Sequence, residues 1–207
     1  MTKAARKAAA AEAAAVTAMA PVADSPMLER IADFGDQPQL RTLSLAMIAA
    51  GLAAGRRGDY GPRLARTGLR MLLAHEAATL AKNFVKHRID RTRPRSIGKP
   101  GKDHLPSKGR ARRKEETSFP SGHSAGASAA ARAFAREYPE HGRAAAGVGA
   151  LLALVQVPRR AHYPTDVAAG LTIGLAAEAA LAALWPASGR GEEAPGSVME
   201  PLPCVTC

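Results

Sequence analysis

The sequence predicts an all-α fold: a single bundle of about six helices, embedded in a membrane. Alanine dominates the apolar content of the 207 residues, aromatic side chains make up only 4% of them, and β-branched residues are sparse. Alanine is the strongest helix former, and small side chains allow helices to pack closely. A chain of this length typically forms one domain with a sizeable core. We therefore expect one helical domain with a tail at each end.

The chain is predicted to divide into an Ala-rich N-terminal segment (1–24), the helical bundle (25–186) and a flexible tail (187–207). Three basic residues precede the alanine run, as in a signal peptide, but Glu12 interrupts it and alanine is only weakly apolar. This pattern favours an exposed or interfacial helix at the N-terminus.

Prolines and glycines mark where the helices of the bundle begin and end. Pro26, Pro62 and Pro164 each suit the first turn of a helix, and the four residues from Gly55 to Gly58 break the pattern. The predicted helices cover residues 26–34, 39–54, 62–91, 121–138, 142–157 and 164–185.

The apolar runs are short compared with the roughly 20 residues that cross a bilayer, and the best candidate covers 167–185. Glu178 in that run, and His75 and Glu76 in the long helix, must then face the bundle interior or water, because they would be costly against lipid. Trp185 is placed as an interfacial anchor would be. We expect a multi-pass protein of the bacterial inner membrane, with a soluble helical protein as the alternative.

The net charge of +11 is concentrated in a basic loop over 88–114 and indicates acidic partners. Such a loop would attract anionic substrates or an anionic membrane surface. A solvated loop and a nucleic-acid site are the alternatives, although no aromatic residues interleave with the charges to stack on bases. Nucleic acid is therefore the less favoured partner.

Three short segments carry residues suited to a phosphate group, and the first contains Lys86, Arg93 and Pro94. The two cations are seven residues apart, which is two helical turns, so the spacing predicts both on one face of a helix that Pro94 ends. Taken alone, they could equally be solvated charges on a helix surface.

The second and third segments place histidines beside predicted helix starts. Ser121 can cap a helix whose free N–H groups suit a phosphate beside His123. His162 precedes Pro164, which suits a helix start, so Asp166 would lie in the first turn and could fix the imidazole tautomer. Taken alone, the second segment could be only a capped helix start, and the third could be only a histidine in a turn. All three segments in this order are improbable by coincidence.

In this order the segments resemble the signature of the type 2 phosphatidic acid phosphatase superfamily. That signature runs Lys-x6-Arg-Pro, Pro-Ser-Gly-His and Ser-Arg-x5-His-x3-Asp. The chain has KHRIDRTRP at 86–94, PSGH at 120–123 and VQVPRRAHYPTD at 155–166. The resemblance covers roughly residues 40–186, and an ordered match of three motifs is far more specific than any one of them.

The resemblance implies that His162 is the nucleophile and forms a phosphohistidine, with Asp166 polarising the ring and His123 protonating the leaving oxygen. It implies no metal and no cofactor. The residues that would bind the phosphate oxygens are Lys86, Arg93, Ser121 and Gly122.

One departure from the signature lies in the third motif. The serine and arginine of the family fall on Val155 and Gln156, so a phosphate-binding cation is absent from its expected place. Glutamine can donate hydrogen bonds but supplies no charge. We hypothesise that Arg159 or Arg160 replaces the missing cation.

The expected function is hydrolysis of a phosphomonoester or pyrophosphate of a lipid. The alternatives are a soluble acid phosphatase acting on small esters and a catalytically impaired member that only binds anions as a scaffold. Cys204 and Cys207 form a C-x-x-C spacing at the C-terminus, which is weak as a metal or redox signal without a second cysteine pair.

Overall fold

The computed structural model describes residues 3–55, 58–96, 105–111 and 113–186, and it confirms the all-α fold. The tail over 187–207, with Cys204 and Cys207, lies outside the described residues, as does part of the basic loop. Two short strands, β1 (Ile89–Asp90) and β2 (Ser107–Lys108), form an antiparallel pair. The described helices are α1 (Lys3–Thr17), α2 (Pro26–Phe34), α3 (Gln37–Ala53), α4 (Tyr60–Lys86), α5 (Gly122–Glu137), α6 (Gly142–Leu154) and α7 (Pro164–Leu184).

Helix α5 lies at the centre of the bundle and contacts α4, α6 and α7. Its buried face consists mostly of alanine and serine, so the neighbouring backbones come close. Gly170 and Gly174 of α7 meet this face, and a Cβ added to Gly174 would overlap the Ser128 Oγ. This close approach holds the first turn of α7 against the first turn of α5.

Helix α1 packs on the bundle through one face and leaves most of its other residues exposed, which agrees with the exposed helix expected from the sequence. Ala13 and Val16 are buried in a cluster with Tyr163 and Val167. Glu12, which interrupts the alanine run, accepts a hydrogen bond from the Thr165 N–H at 2.6 Å. Only one face of α1 is buried. Because the segment consists mostly of alanine, its sequence did not indicate which face that would be.

Helix α4 ends at Lys86, so the prediction that Lys86 and Arg93 share one helical face is also wrong. The backbone beyond the helix pairs with the segment before α5 instead of continuing its i to i−4 hydrogen bonds. The Arg91 N–H donates to the Glu116 carbonyl at 2.9 Å, and the Arg93 N–H donates to the Glu115 carbonyl at 2.8 Å. Arg93 therefore lies in a loop fixed by tertiary contacts.

Glu178 faces the bundle interior, as predicted. It is fully buried in α7, where the Arg136 Nε donates to its Oε1 at 2.5 Å. The fully buried Arg70 lies 3.7 Å from the same Oε1 and donates to Glu137 at 2.9 Å. Buried charges need such partners, because their desolvation is costly.

The outer faces of the bundle expose many large apolar side chains, which include Leu43, Leu45, Leu52, Leu69, Leu73, Leu80, Phe84, Leu151, Leu154 and Leu175. One of the helices described, Pro164–Leu184, is long and apolar enough to cross a membrane.

Candidate active site

The start of α5 presents the PSGH segment to the site. Ser121 occupies the position before the helix, and its Oγ accepts a hydrogen bond from the Ser124 N–H at 3.3 Å. Gly122 and His123 form the first turn, whose N–H groups have no partner within the helix and suit an anion. The predicted capped helix start is therefore present.

His162 and Asp166 meet this helix start. The Ser121 N–H donates to the Asp166 carbonyl at 3.0 Å, which joins the second motif to the third. The His162 Nδ1 lies 3.7 Å from the Asp166 Oδ2, an ion-pair distance that is too long for a hydrogen bond. Within the described residues, His162 Nδ1 is buried without a hydrogen-bond partner.

The Asp166 carboxylate is instead held by three other donors. These are the Arg91 Nη1 at 2.6 Å, the Ser118 Oγ at 2.5 Å and the Tyr163 N–H at 3.0 Å. The Arg91 Nη2 also donates to Glu12 of α1 at 2.8 Å, so the N-terminal helix reaches the site through Arg91. These contacts leave the position of the carboxylate well determined.

Burial is the main influence on the protonation of His162. It lowers the pKa of His162 to about 4; Asp166 opposes this shift, and the nearby Arg93 and His123 add to it. The imidazole is therefore neutral at neutral pH, which is the form with a free lone pair.

Arg93 belongs to the same group of residues. Its Nη1 donates to the Ala161 carbonyl, next to His162, at 3.2 Å. Burial, and then the charge of Arg95, lower the pKa of Arg93 to about 10, so its guanidinium stays charged at neutral pH.

Lys86 is placed differently from the other predicted residues. It lines a cavity of about 560 Å³ together with Arg88 and Arg110, and neither His123 nor His162 is among the described residues that line it. One helical turn earlier, the buried Lys82 lies against the PSGH segment, with its Nζ 3.4 Å from where a Cβ on Gly122 would be. The i to i−4 spacing from Lys86 was the signal that could have identified Lys82.

The structure distinguishes the two arginines that could replace the missing cation. The Arg159 Nη1 donates to the Gln156 Oε1 at 3.3 Å, and the charge of Arg159 is close enough to lower the pKa of Arg93. Arg160, with φ of 54°, directs its Nη2 to the Pro94 carbonyl at 3.2 Å. Gln156 is fully buried, and its Nε2 has no hydrogen-bond partner among the described residues.

His123 has a partner that sequence reasoning missed. Its Nε2 lies 2.7 Å from the Oδ1 of Asp36, the residue that precedes α3. No motif marks Asp36, and nothing in the local sequence links it to a histidine 87 positions later.

Fold and site together describe a helical bundle that gathers histidines and cations at the starts of two helices. The family model of the PAP2 superfamily matches residues 67–190. The chain is 30% identical over 161 residues to the lipid A 1-phosphatase of Rhizobium etli. The aligned residues cover 74% of this chain and 68% of that relative.

A solved structure agrees with the fold. It is a transmembrane PAP2-type phosphatidylglycerolphosphate phosphatase from Bacillus subtilis, superimposed with a TM-score of 0.59 at 20% identity over 88% of this chain and 87% of that one. The chain belongs to the PAP2 superfamily, as the motifs predicted. It is accordingly a phosphoric ester hydrolase.

Proposed function

We propose that the protein hydrolyses a phosphomonoester or pyrophosphate of a lipid through a phosphohistidine on His162. The observation that supports this most directly is the hydrogen bond from the Ser121 N–H to the Asp166 carbonyl at 3.0 Å. It brings the start of α5, with His123, against the buried His162 and Asp166. A phosphate held between the two imidazoles has a nucleophile on one side and an acid on the other.

In the first step, the Nε2 lone pair of His162 attacks phosphorus while its Nδ1–H faces Asp166. The bond from phosphorus to the leaving oxygen breaks, and the imidazolium of His123 gives that oxygen its proton. In the second step, water attacks the phosphohistidine and returns its proton to His123. Phosphate leaves, and both histidines regain their starting forms.

The cations and donors around the histidines would stabilise the charge on the equatorial phosphate oxygens, which is the largest catalytic effect at such sites. The Gln156 Nε2, which has no hydrogen-bond partner among the described residues, suits one of these oxygens, and Arg159 supplies a charge beside it. We assign Lys86 to the approach of the anion, since it lines the neighbouring basic cavity. The proposed phosphate-binding groups are Arg93, Lys82, Arg159, the Gln156 Nε2 and the Gly122 N–H. The Ser121 N–H, expected to bind phosphate, is instead bonded to the Asp166 carbonyl.

An apolar groove next to the site supports a lipid as the substrate. This cavity of about 600 Å³ lies between α2, α3, α5 and α6, and its lining includes Phe34, Phe134, Val148 and Leu152. Leu152 also contacts the Gly35 position, which neighbours His123. We assign the groove to the acyl chain, with the bundle crossing a bacterial inner membrane several times and its exposed apolar faces in lipid.

The test uses the protein purified in detergent, with four lipids and p-nitrophenyl phosphate as substrates. The lipids are phosphatidate, phosphatidylglycerolphosphate, a polyprenyl diphosphate and lipid A. We expect faster turnover of at least one lipid, and an acid-labile, base-stable phosphoenzyme when a ³²P-labelled substrate is quenched in alkali. His162→Ala should abolish both signals.

Three outcomes would change the proposal. Turnover by His162→Ala equal to that of the natural chain would remove the phosphohistidine. Preference for the small ester would favour an acid phosphatase. Binding of phosphate or vanadate without turnover of any substrate would indicate an anion-binding member of the family.

A further inference from the structure

Asp36 lies in a helix-capping position but does not cap its helix. It precedes α3 with the extended backbone typical of such residues, yet its side chain makes no capping hydrogen bond. Its Oδ1 contacts the Nε2 of His123 at 2.7 Å instead. Aspartate at this position normally accepts a hydrogen bond from the first turn, so the fold directs this carboxylate to the imidazole.

One cation lies close to His123. Lys82 of α4 lies against the adjacent Gly122, with its Nζ 3.4 Å from where a Cβ on Gly122 would be. Positive neighbours disfavour an imidazolium, whereas a carboxylate at hydrogen-bond distance favours it. The Asp36 carboxylate therefore opposes the effect of the Lys82 charge on the His123 ring.

We propose that Asp36 is the positioning residue of His123, which holds the ring by its Nε2–H and stabilises the imidazolium that protonates the leaving oxygen. This inference rests on the proposed role of His123 as general acid. In the step itself, the Nδ1 proton moves to the leaving oxygen as its bond to phosphorus breaks, and Nε2–H stays bound to Asp36. The ring ends neutral and can accept a proton from water in the second step.

The test compares two leaving groups. Nitrophenolate leaves without a proton, whereas the alkoxide of a lipid phosphate needs one. We expect Asp36→Asn to lower kcat for the lipid phosphate on the order of tenfold and to leave p-nitrophenyl phosphate within about twofold. The basic limb of the kcat profile against pH should move to lower pH by roughly one unit. Asp36→Glu, which keeps a carboxylate, should restore much of the kcat for the lipid phosphate and much of the position of the basic limb.

Asp59→Asn is the matched control. Asp59 precedes α4 as Asp36 precedes α3, and it also makes no capping hydrogen bond. We expect its kinetics to match those of the natural chain. If Asp36→Asn fails to fold, Asp36→Ser, which is also favoured at the position before a helix, should give the same selective loss.

Two results would overturn the inference: equal losses on both esters, or an unmoved basic limb. His123→Ala separates this from the proposed function. If His123→Ala loses activity selectively on the lipid phosphate and the Asp36 variants do not, only the inference about Asp36 fails. If His123→Ala shows no such selectivity, His123 is not the general acid.

Discussion

His162 is an imidazole kept neutral by burial, and this has a consequence for pH dependence. Because its pKa is lowered from 6.5 to about 4, we expect kcat/KM for p-nitrophenyl phosphate to lose activity on the acid side only near pH 4. The unfolded chain takes up this proton between pH 6.5 and 4 while the folded chain does not, so stability should fall as pH falls through that window.

Rate and unfolding measurements from pH 3.5 to 8 check this prediction. Thermal unfolding at each pH separates loss of fold from protonation of His162. An acid limb of kcat/KM centred near pH 6.5 in folded enzyme would contradict it.

Arg159 supplies the second prediction for single residues. Arg159→Ala should lower kcat/KM roughly a hundredfold, because a preorganised cation beside the phosphate is lost. Arg160→Ala should act mainly on stability, since its side chain holds the Pro94 carbonyl. Arg143→Ala is the control, because that side chain is exposed on α6.

Restoring the arginine of the family tests the same assignment from the other side. Gln156→Arg in the Arg159→Ala background should recover much of the lost kcat/KM. A larger loss of kcat/KM from Arg160→Ala than from Arg159→Ala would contradict this assignment and indicate Arg160 as the replacement cation.

The interface between α5 and α7 carries a prediction for whole elements. Gly174→Ala should destabilise the protein by roughly 1 to 3 kcal/mol, because the new methyl group would overlap Ser128 across the interface. Gly147→Ala in α6 is the matched control, since nothing lies within 4 Å of that position. Alanine there should be neutral or stabilising by up to about 1 kcal/mol. Thermal unfolding in detergent measures both, and equal shifts would contradict the packing argument.

The docking of α1 carries a second prediction at this scale. Glu12→Ala removes one of the two carboxylates that bind the buried Arg91. We expect a lower melting temperature and a lower kcat, because Arg91 then holds Asp166 less firmly. Asp24→Ala, an exposed acid outside α1, should change neither. Unchanged kcat in folded Glu12→Ala would show that α1 supports the fold alone.

Sequence reasoning succeeded for elements with local signals. Proline placed the starts of α2 and α7, and the segment at 55–58 separated α3 from α4, because these residues restrict or widen the backbone locally. The end of α4 was missed by five residues, since the backbone after Lys86 bonds to residues 107–118. Pairing between segments that are distant in the sequence cannot be recognised from the residues of the helix itself.

The same division holds for the candidate site. His123, His162 and Asp166 could be predicted because their motif places them at helix starts. Asp36 and Glu12 could not, because each reaches its partner only through the packing of other helices. Their contacts depend on tertiary structure that neither spacing nor composition encodes.

The whole molecule joins a polar site to an apolar groove, and the groove can be tested separately. Val148→Trp should narrow it and lower kcat/KM for a long-chain phosphatidate by about tenfold, with little effect on a short-chain one. Leu154→Trp is the control, because Leu154 is an exposed residue of the same helix and is not among the residues that line the groove. Equal effects on both chain lengths would remove the groove as the acyl site.

The glycine contacts between α5 and α7 fix the distance between two helix starts through backbone rather than through long side chains. Mutations on the outward surfaces can therefore accumulate without moving the imidazoles. Relatives with this core could therefore change the proposed acyl groove without changing the proposed phosphate site, because the residues assigned to the two do not overlap.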